Sequence, residues 1–410
     1  MAHILDLPKE ILLIIFNYIL QSENQKYFLS SISKVCKAWE LVCQDAHFWR
    51  KIDGSLPLNA LFGKSKNGSF LKTEELICGP TVNLNYFENL DELFAGMPNL
   101  KSINFSKVLH LDKQVIKCLK KHCKNVSSIK LPKKDISITL LDELLENHGQ
   151  NLLVLDLSGQ SFNLKKALLA VSKSCFNLEE LVLQNVDCVN AFPLKEIQEN
   201  CSKMKVLRLG MPIKFSKYSN SENLPGFPML EVFSHPNIEL CDRYNQPGSC
   251  EFFDKDLRNL LSNSPLLKLL DIRGSLYITV NGILALPATH VESLYLSMSK
   301  LCLTGNILEI LNKWIRSLRS VDISRMTSFR INEVLVDVTK NGRMINLEQL
   351  DLNNTKINAE TIIKIIENCA NLNSVNLSSC REVGRGCMRE FKNRSDLLKL
   401  HEKLLCRLNE

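Results

Sequence analysis

Apolar residues recur along most of this chain in the spacing L-x-x-L-x-L, seen cleanly at Leu152, Leu155 and Leu157. The first apolar position of each such segment falls at Leu100, Val126, Leu152, Leu178, Met204, Leu230, Leu267, Val291, Leu318, Leu347 and Leu372. The first five intervals are all 26 residues; after one of 37 they run 24, 27, 29 and 25. Apolar partners follow three and five places on, as in Ile103/Phe105, Leu181/Leu183, Leu294/Leu296 and Leu350/Leu352, and only the unit at Leu230 is weak, offering Phe233 and His235. Apolar alternation over a few residues predicts a short strand. The stretches between strands carry helical spacing, as at Ile136, Leu140, Leu141, Leu144 and Leu145.

No unit of that length can bury its apolar face alone, so the units must stack. The pattern predicts an α/β fold, a leucine-rich-repeat solenoid with parallel strands inside a horseshoe and helices outside it. Two places break the register. Residues 211 to 229 are rich in Ser, Asn, Pro and Gly, which predicts a unit without a good outer helix. Between Pro236 and Cys250 about eleven residues are inserted; such an insertion is either a recognition loop or a tolerated surface bulge. At the end, Met388, Phe391, Leu398, Leu404 and Leu408 predict a capping helix over Cys387 to Leu408.

The first fifty residues follow a different pattern. Leu7-Pro8-Lys9-Glu10 reads as a helix start, because proline suits a first helical turn. Ile11, Leu12, Ile14, Ile15, Phe16, Ile19 and Leu20 then cover more of the helix circumference than one buried stripe requires. Residues 21 to 27 are polar and predict a loop, Phe28 to Cys43 a second helix, and Phe48-Trp49 the close of the unit. So small a unit is marginal alone, and packing against the repeats on one side and a partner on the other would stabilise it. The predicted organisation is 1–52 for this helical unit, 53–98 for a linker and degenerate first repeat, 99–386 for the repeats and 387–410 for the cap.

Leu7-Pro8, the helix bearing Ile14 and Phe16, Val35-Cys36-Lys37-Ala38-Trp39 and Phe48-Trp49 together resemble the F-box motif. With the repeats behind it, the chain resembles the F-box and leucine-rich-repeat family. One departure is the loop from Gln21 to Tyr27, about five residues longer than usual. The resemblance implies a non-catalytic substrate receptor of an SCF-type ubiquitin ligase. Its F-box would dock a Skp-type adaptor that joins it to a cullin–RING ligase core, and its repeats would hold a protein substrate for ubiquitination and proteasomal degradation. Leu7, Pro8, Ile11, Ile14, Phe16, Val35, Cys36 and Trp39 are the adaptor-contacting positions so implied, while Trp49 braces the F-box against the linker. A repeat scaffold that binds partners without delivering them is the alternative reading.

Composition narrows the classes. A formal charge of +7 over 410 residues is mild, and the basic cluster from Lys120 to Lys134 lacks interleaved aromatics, so nucleic-acid binding is not indicated. No apolar run approaches the roughly 20 residues of a membrane helix, and Met1 to Asp6 do not read as a secretory signal. A cytoplasmic or nuclear location is expected, with the fifteen cysteines reduced. Cys123, Cys175, Cys201 and Cys369 each stand three residues before a repeat's first apolar position, a slot for a small buried residue rather than a ligand. Cys118, His122 and Cys123 lack the paired half of a zinc site, and no catalytic motif is present, so neither metal, cofactor nor enzymatic activity is expected.

Binding surface is the stronger expectation. Residues between the apolar strand positions face the inside of the array. The fourth position after each first apolar residue reads Asn104, Lys130, Asp156, Val182, Arg208, Ser234, Asp271, Tyr295, Asp322, Asp351 and Asn376, with Arg273 and Arg325 nearby. Asp156, Arg208, Asp271, Arg273, Tyr295, Asp322 and Asp351 are therefore candidate substrate contacts, the acidic later half suiting a basic segment. A merely soluble inner face is the alternative.

Overall fold

The computed structural model describes residues 7–22, 25–56, 61, 68–83, 89–161, 163–186, 191–210, 214–215, 224–236, 252–384 and 388–409. They form two compact units, Met1–Asp187 and Cys188–Glu410.

The first unit opens with three helices, α1 (Lys9–Ser22), α2 (Gln25–Ser30) and α3 (Lys37–Cys43). The carbonyl of Pro8 accepts the opening bonds of α1 from Ile11 and Leu12, the role expected of Leu7-Pro8. Two expectations are corrected here. The polar stretch 21–27 is not a plain loop: Gln21 and Ser22 continue α1, and Gln25 to Tyr27 begin α2. Gln25 explains this: its side chain donates to the carbonyls of Phe48 and Lys51 and accepts from Asp53 N–H, while its backbone N–H donates to the Asp53 carboxylate, anchoring the start of α2. Nor is 28–43 one helix. It breaks into α2, a 3-10 turn at Ile32–Lys34 and α3, because Cys36 is fully extended (φ −162°, ψ 168°) and restarts the chain. Phe16, Phe28 and Phe48 form an aromatic core with centroids 5.3 to 6.3 Å apart. Trp49 is fully buried, donates to the Cys43 carbonyl at 2.8 Å and stands edge-on to Phe70, so it ties the helices to the residues that follow.

Six parallel strands succeed one another in this unit: Lys51–Ile52, Glu75–Ile77, Ser102–Asn104, Ser128–Lys130, Val154–Asp156 and Glu180–Leu183. Helices Leu90–Ala95, Lys113–His122, Ile138–His148 and Leu164–Ser174 join them. The second of these starts on Asp112, whose carboxylate accepts from Gln114 N–H, and the third on Ser137, whose hydroxyl accepts from Leu140 N–H.

The second unit runs Val206–Leu209, Val232–Ser234, Leu269–Asp271, Ser293–Tyr295, Ser320–Asp322, Gln349–Asp351 and Ser374–Asn376, again parallel and in register. Phe233 and His235 fill the apolar slots of the weak repeat and are both buried, with Phe252 packed against them. The expected helix from Cys387 is corrected: a strand, Glu390–Phe391, first pairs antiparallel with Ser374–Asn376, and the helix covers Arg394–Asn409. The Arg394 guanidinium bonds the carbonyls of Ile366, Cys369 and Leu372, capping the helix of the last repeat. The insertion 237–250 and most of 211–223 lie outside the described residues.

Three recurring devices set the repeat, and each is a column of equivalent residues. Cys123, Cys175, Cys201 and Cys369 are all fully buried where a helix ends, and Cys123 donates weakly to the carbonyls of Phe94 and Met97. Burial pushes the thiols of Cys123, Cys201 and Cys369 up to about 12, so they are poor nucleophiles. Asparagines one place before the first apolar residue—Asn99, Asn151, Asn177, Asn346 and Asn371—each donate to a carbonyl of the preceding repeat, at 2.7 to 3.2 Å. Seven places after it, Gly159, Asn185, Gly274, Met298, Arg325, Asn354 and Ser379 all have positive φ. That left-handed residue turns the chain off the strand, and the N–H groups of Gly159, Gly274, Arg325 and Asn354 reach the next repeat's carbonyls.

Candidate functional site

Two surfaces hold the candidate residues. On the helical unit, Leu12 and Phe16 of α1 point into the core, and Trp39 packs edge-on against Phe16 at 4.9 Å. Ile11, Ile14 and Tyr18 lie on another stripe of the same helix, one turn apart, and that stripe is open: Ile14 is 55% exposed and Tyr18 71%. Leu13, Ile14, Asn17, Tyr18, Gln21 and His47 line a depression of about 470 Å³ there. Val35, 59% exposed, and Leu41, 62% exposed, add apolar surface from the 3-10 turn and α3. So Ile11, Ile14, Pro8 and Val35 are exposed, and Leu7, Cys36 and Trp39 half-buried. Phe16 is corrected: it is fully buried at the centre of the aromatic core and offers nothing to a partner. Tyr18 and Leu41 were missed, although a tyrosine four residues after Ile14 on an over-apolar helix is the signal that finds it.

The second surface is the open face of the strands. Register pairing places Ser234, Asp271, Tyr295, Asp322, Asp351 and Asn376 side by side in one row of the second unit. Arg273, Tyr295, Asp322, Asp351 and Asn376 line a single cavity of about 240 Å³. The Arg273 guanidinium lies over the Tyr295 ring at 5.5 Å while its Nε and Nη2 grip the two oxygens of Asp271 at 2.8 and 2.9 Å. Asp271 also accepts from Ser234 and is 3% exposed. Its charge is satisfied inside the fold, which corrects the expectation of an open contact. Asp156, in the first unit, is likewise 8% exposed and paired with Lys130. Arg208 stands in register with Ser234, half-buried and outside that cavity.

Much of the column has a structural reason that the sequence pattern alone concealed. Asn104, Asp156, Asp271, Asp322, Asp351 and Asn376 each accept from the backbone N–H two residues on, at 2.8 to 3.3 Å. This bond shapes the turn into the left-handed position, so Asp or Asn here serves the fold first. Asp322 and Asp351 nevertheless keep chemistry to spare. The Asp351 carboxylate receives one further bond from Asn376, and among the described residues the Asp322 carboxylate is hydrogen-bonded to Ser324 alone. Neither has an ion-pair partner among the described residues. Burial, helped by the charge of Asp351, pushes the Asp322 carboxyl above its ordinary value.

That shift has a testable sign. A carboxyl whose folded pKa lies above its unfolded one stabilises the fold while protonated, and this contribution is lost as pH rises through the folded pKa. Asp322→Asn is therefore expected to raise the melting temperature at pH 7, by an amount that shrinks toward zero near pH 4. Thermal melts across that range decide; an equal effect at both ends would mean that ionisation of Asp322 costs the fold nothing.

The remaining candidates are engaged structurally. His122 and Lys121 both contact Asp91 at 2.9 Å, and Lys134 faces His110. Among the described residues no three His, Cys, Asp or Glu side chains converge as metal ligands, no helix is long and apolar enough to cross a membrane, and the cysteines are free thiols.

Comparison with known proteins agrees with both halves. The F-box-like family model matches residues 4–55. No curated protein sequence matches the chain. Among solved structures, a chain of the yeast Rad7–Elc1 complex is similar at a TM-score of 0.56 and 16% identity, over 89% of this chain and 96% of that one. The leucine-rich repeat-containing protein LegL7 from Legionella pneumophila aligns over 80% of this chain and 98% of its own at a TM-score of 0.43 and 13% identity. An F-box-like domain followed by stacked repeats defines a class of two-part proteins, one part small and helical, the other a solenoid. The chain carries an F-box-like domain at residues 4–55, followed by strands and helices stacked in the manner of a leucine-rich-repeat solenoid.

Proposed function

We propose that this chain is the substrate-recognition subunit of an SCF-type ubiquitin ligase, with the F-box docked on a Skp-type adaptor and the repeats holding a protein substrate. The observation that carries this reading is the second apolar stripe of α1. Ile11, Ile14 and Tyr18 are exposed on a helix whose core face is already filled by Leu12 and Phe16. A solvated stripe of this kind, on a unit that also exposes Val35 and Leu41, is what a stable protein–protein contact buries. The solved Rad7–Elc1 structure, in which a chain of similar fold sits in a complex with a second protein, supports a partner-bound role.

The chain contributes position rather than chemistry. Its described cysteines outside the F-box are almost all buried, and the acids of its strand column each bond a turn N–H. Ubiquitin transfer would then be accelerated by raising the local concentration of substrate at a ligase assembled on the cullin. Cytoplasm and nucleus are the compartments where such a ligase would act. Affinity purification of the full chain from proteasome-inhibited cells is expected to recover the adaptor and cullin in near-equal amounts, together with proteins whose levels rise on inhibition. Recovery of partners that never accumulate, without a cullin, would favour the scaffold reading instead.

A further inference from the structure

We infer that the helix side of the second unit carries a separate docking groove for a basic, partly apolar peptide segment of a protein partner. It lies among the helices Val280–Leu284, Lys300–Thr304, Leu308–Lys313 and Arg330–Thr339, and encloses about 510 Å³. The groove exists because the helix layer is thin there. Val280–Leu284 has five residues, and the next repeat is split in two by Gly305, whose φ of +75° stops one helix before the other begins. A Cβ at Gly305 would come within 2.9 Å of the Ser328 hydroxyl, so the close approach that shapes the groove requires glycine.

Its lining combines two properties. Val280, Leu308 and Val334 supply apolar surface, while Glu309, Glu333 and Asp337 supply three carboxylates on exposed residues. Glu309 and Glu333 have no ion-pair partner among the described residues, and Asp337 meets only Arg343, at 3.9 Å. The one cation in the lining, Arg330, is turned to the Asn306 side chain at 3.3 Å. With Arg343 counted against Asp337 from outside the lining, three carboxylates meet two guanidiniums, so the groove stays acidic, at Glu309 and Glu333, on a chain whose formal charge is +7. A cationic segment is attracted to it selectively, and an apolar side chain between two lysines or arginines would occupy the floor. This surface is distinct from the strand-face cavity at Asp322 and Asp351, and it does not depend on the ligase reading.

The test uses the full chain and a fluorescein-labelled synthetic peptide of lysines and leucines at helical spacing, with its glutamate-for-lysine counterpart as the control, followed by fluorescence anisotropy at low salt. The lysine peptide is expected to bind saturably and the glutamate peptide not to bind. Glu309→Lys with Glu333→Lys should weaken binding at least tenfold, Leu308→Ala severalfold, and Glu146→Lys with Glu402→Lys, two exposed acids outside both cavities, not at all. Should the lysine pair lower the melting temperature, Glu309→Gln with Glu333→Gln provides the same comparison without reversed charge. Absence of saturable binding, equal binding by the groove variants, or an equal loss in the Glu146→Lys, Glu402→Lys chain would overturn the proposal.

Discussion

Replacing Ile14 and Val35 with aspartate is expected to abolish co-purification of a Skp-type adaptor while leaving the melting temperature of the chain within a degree or two of the unaltered protein. Both side chains are more than half exposed, so neither substitution opens a cavity or buries a charge in the free chain. Each would instead place a carboxylate inside a desolvated contact, where an unpaired charge is strongly unfavourable. Phe16→Ala is the informative contrast. That ring is in contact with Phe28, Trp39 and Phe48, and its removal should cost about 3–5 kcal/mol of stability. Adaptor binding would then fail through unfolding, visible as a lowered denaturation midpoint. Stoichiometric adaptor recovered with the folded Ile14→Asp, Val35→Asp chain would remove α1 from the interface.

Capture of the principal protein partner is expected to fall about a hundredfold when Asp322 and Asp351 are both changed to lysine, a change of about 2.7 kcal/mol in binding. The two carboxylates face each other across adjacent strands and line one cavity with Tyr295. Reversal turns the attraction of a basic segment into repulsion at the centre of the contact, where like charges cost most. Asp271 is unsuitable for the same experiment. Its bidentate pair with Arg273 and its bond from Ser234 make Asp271→Lys a stability variant, and lost capture there would say nothing about recognition. Quantitative mass spectrometry of co-purified proteins measures the effect. An unchanged partner set with the double reversal would leave the strand face as a soluble surface and nothing more.

The repeat was legible in the sequence because one physical need, a buried apolar face, imposes one spacing. The strand positions, the buried cysteines and the parallel stacking all follow from it. Features that depend on a neighbour's backbone were hidden. Nothing about Asn151 or Asn177 alone says that the amide reaches a carbonyl one repeat back. Similarly, Asp156 looked like an outward acid because the pattern gives direction but not partners, whereas Lys130 opposite and Ser158 beyond decide what its oxygens do. The F-box followed the same rule. An over-apolar helix signalled two faces, but which residue took which face was settled by packing, and Phe16 went to the core.

The antiparallel strand at Glu390–Phe391 restricts how such a chain can change in length. Every earlier strand of the second unit offers the same edge to its successor, so a duplicate of a repeat such as that of Leu294 and Leu296 or that of Val321 and Ile323 brings its own strand and left-handed turn, and fits on both sides. The last position lacks that freedom. Its outward edge is taken by a strand running the opposite way, with the Arg394–Asn409 helix following and Arg394 fastened to the carbonyls beneath. Lineages of this architecture should therefore vary by gain and loss of interior units, with the closing strand and helix carried along unchanged.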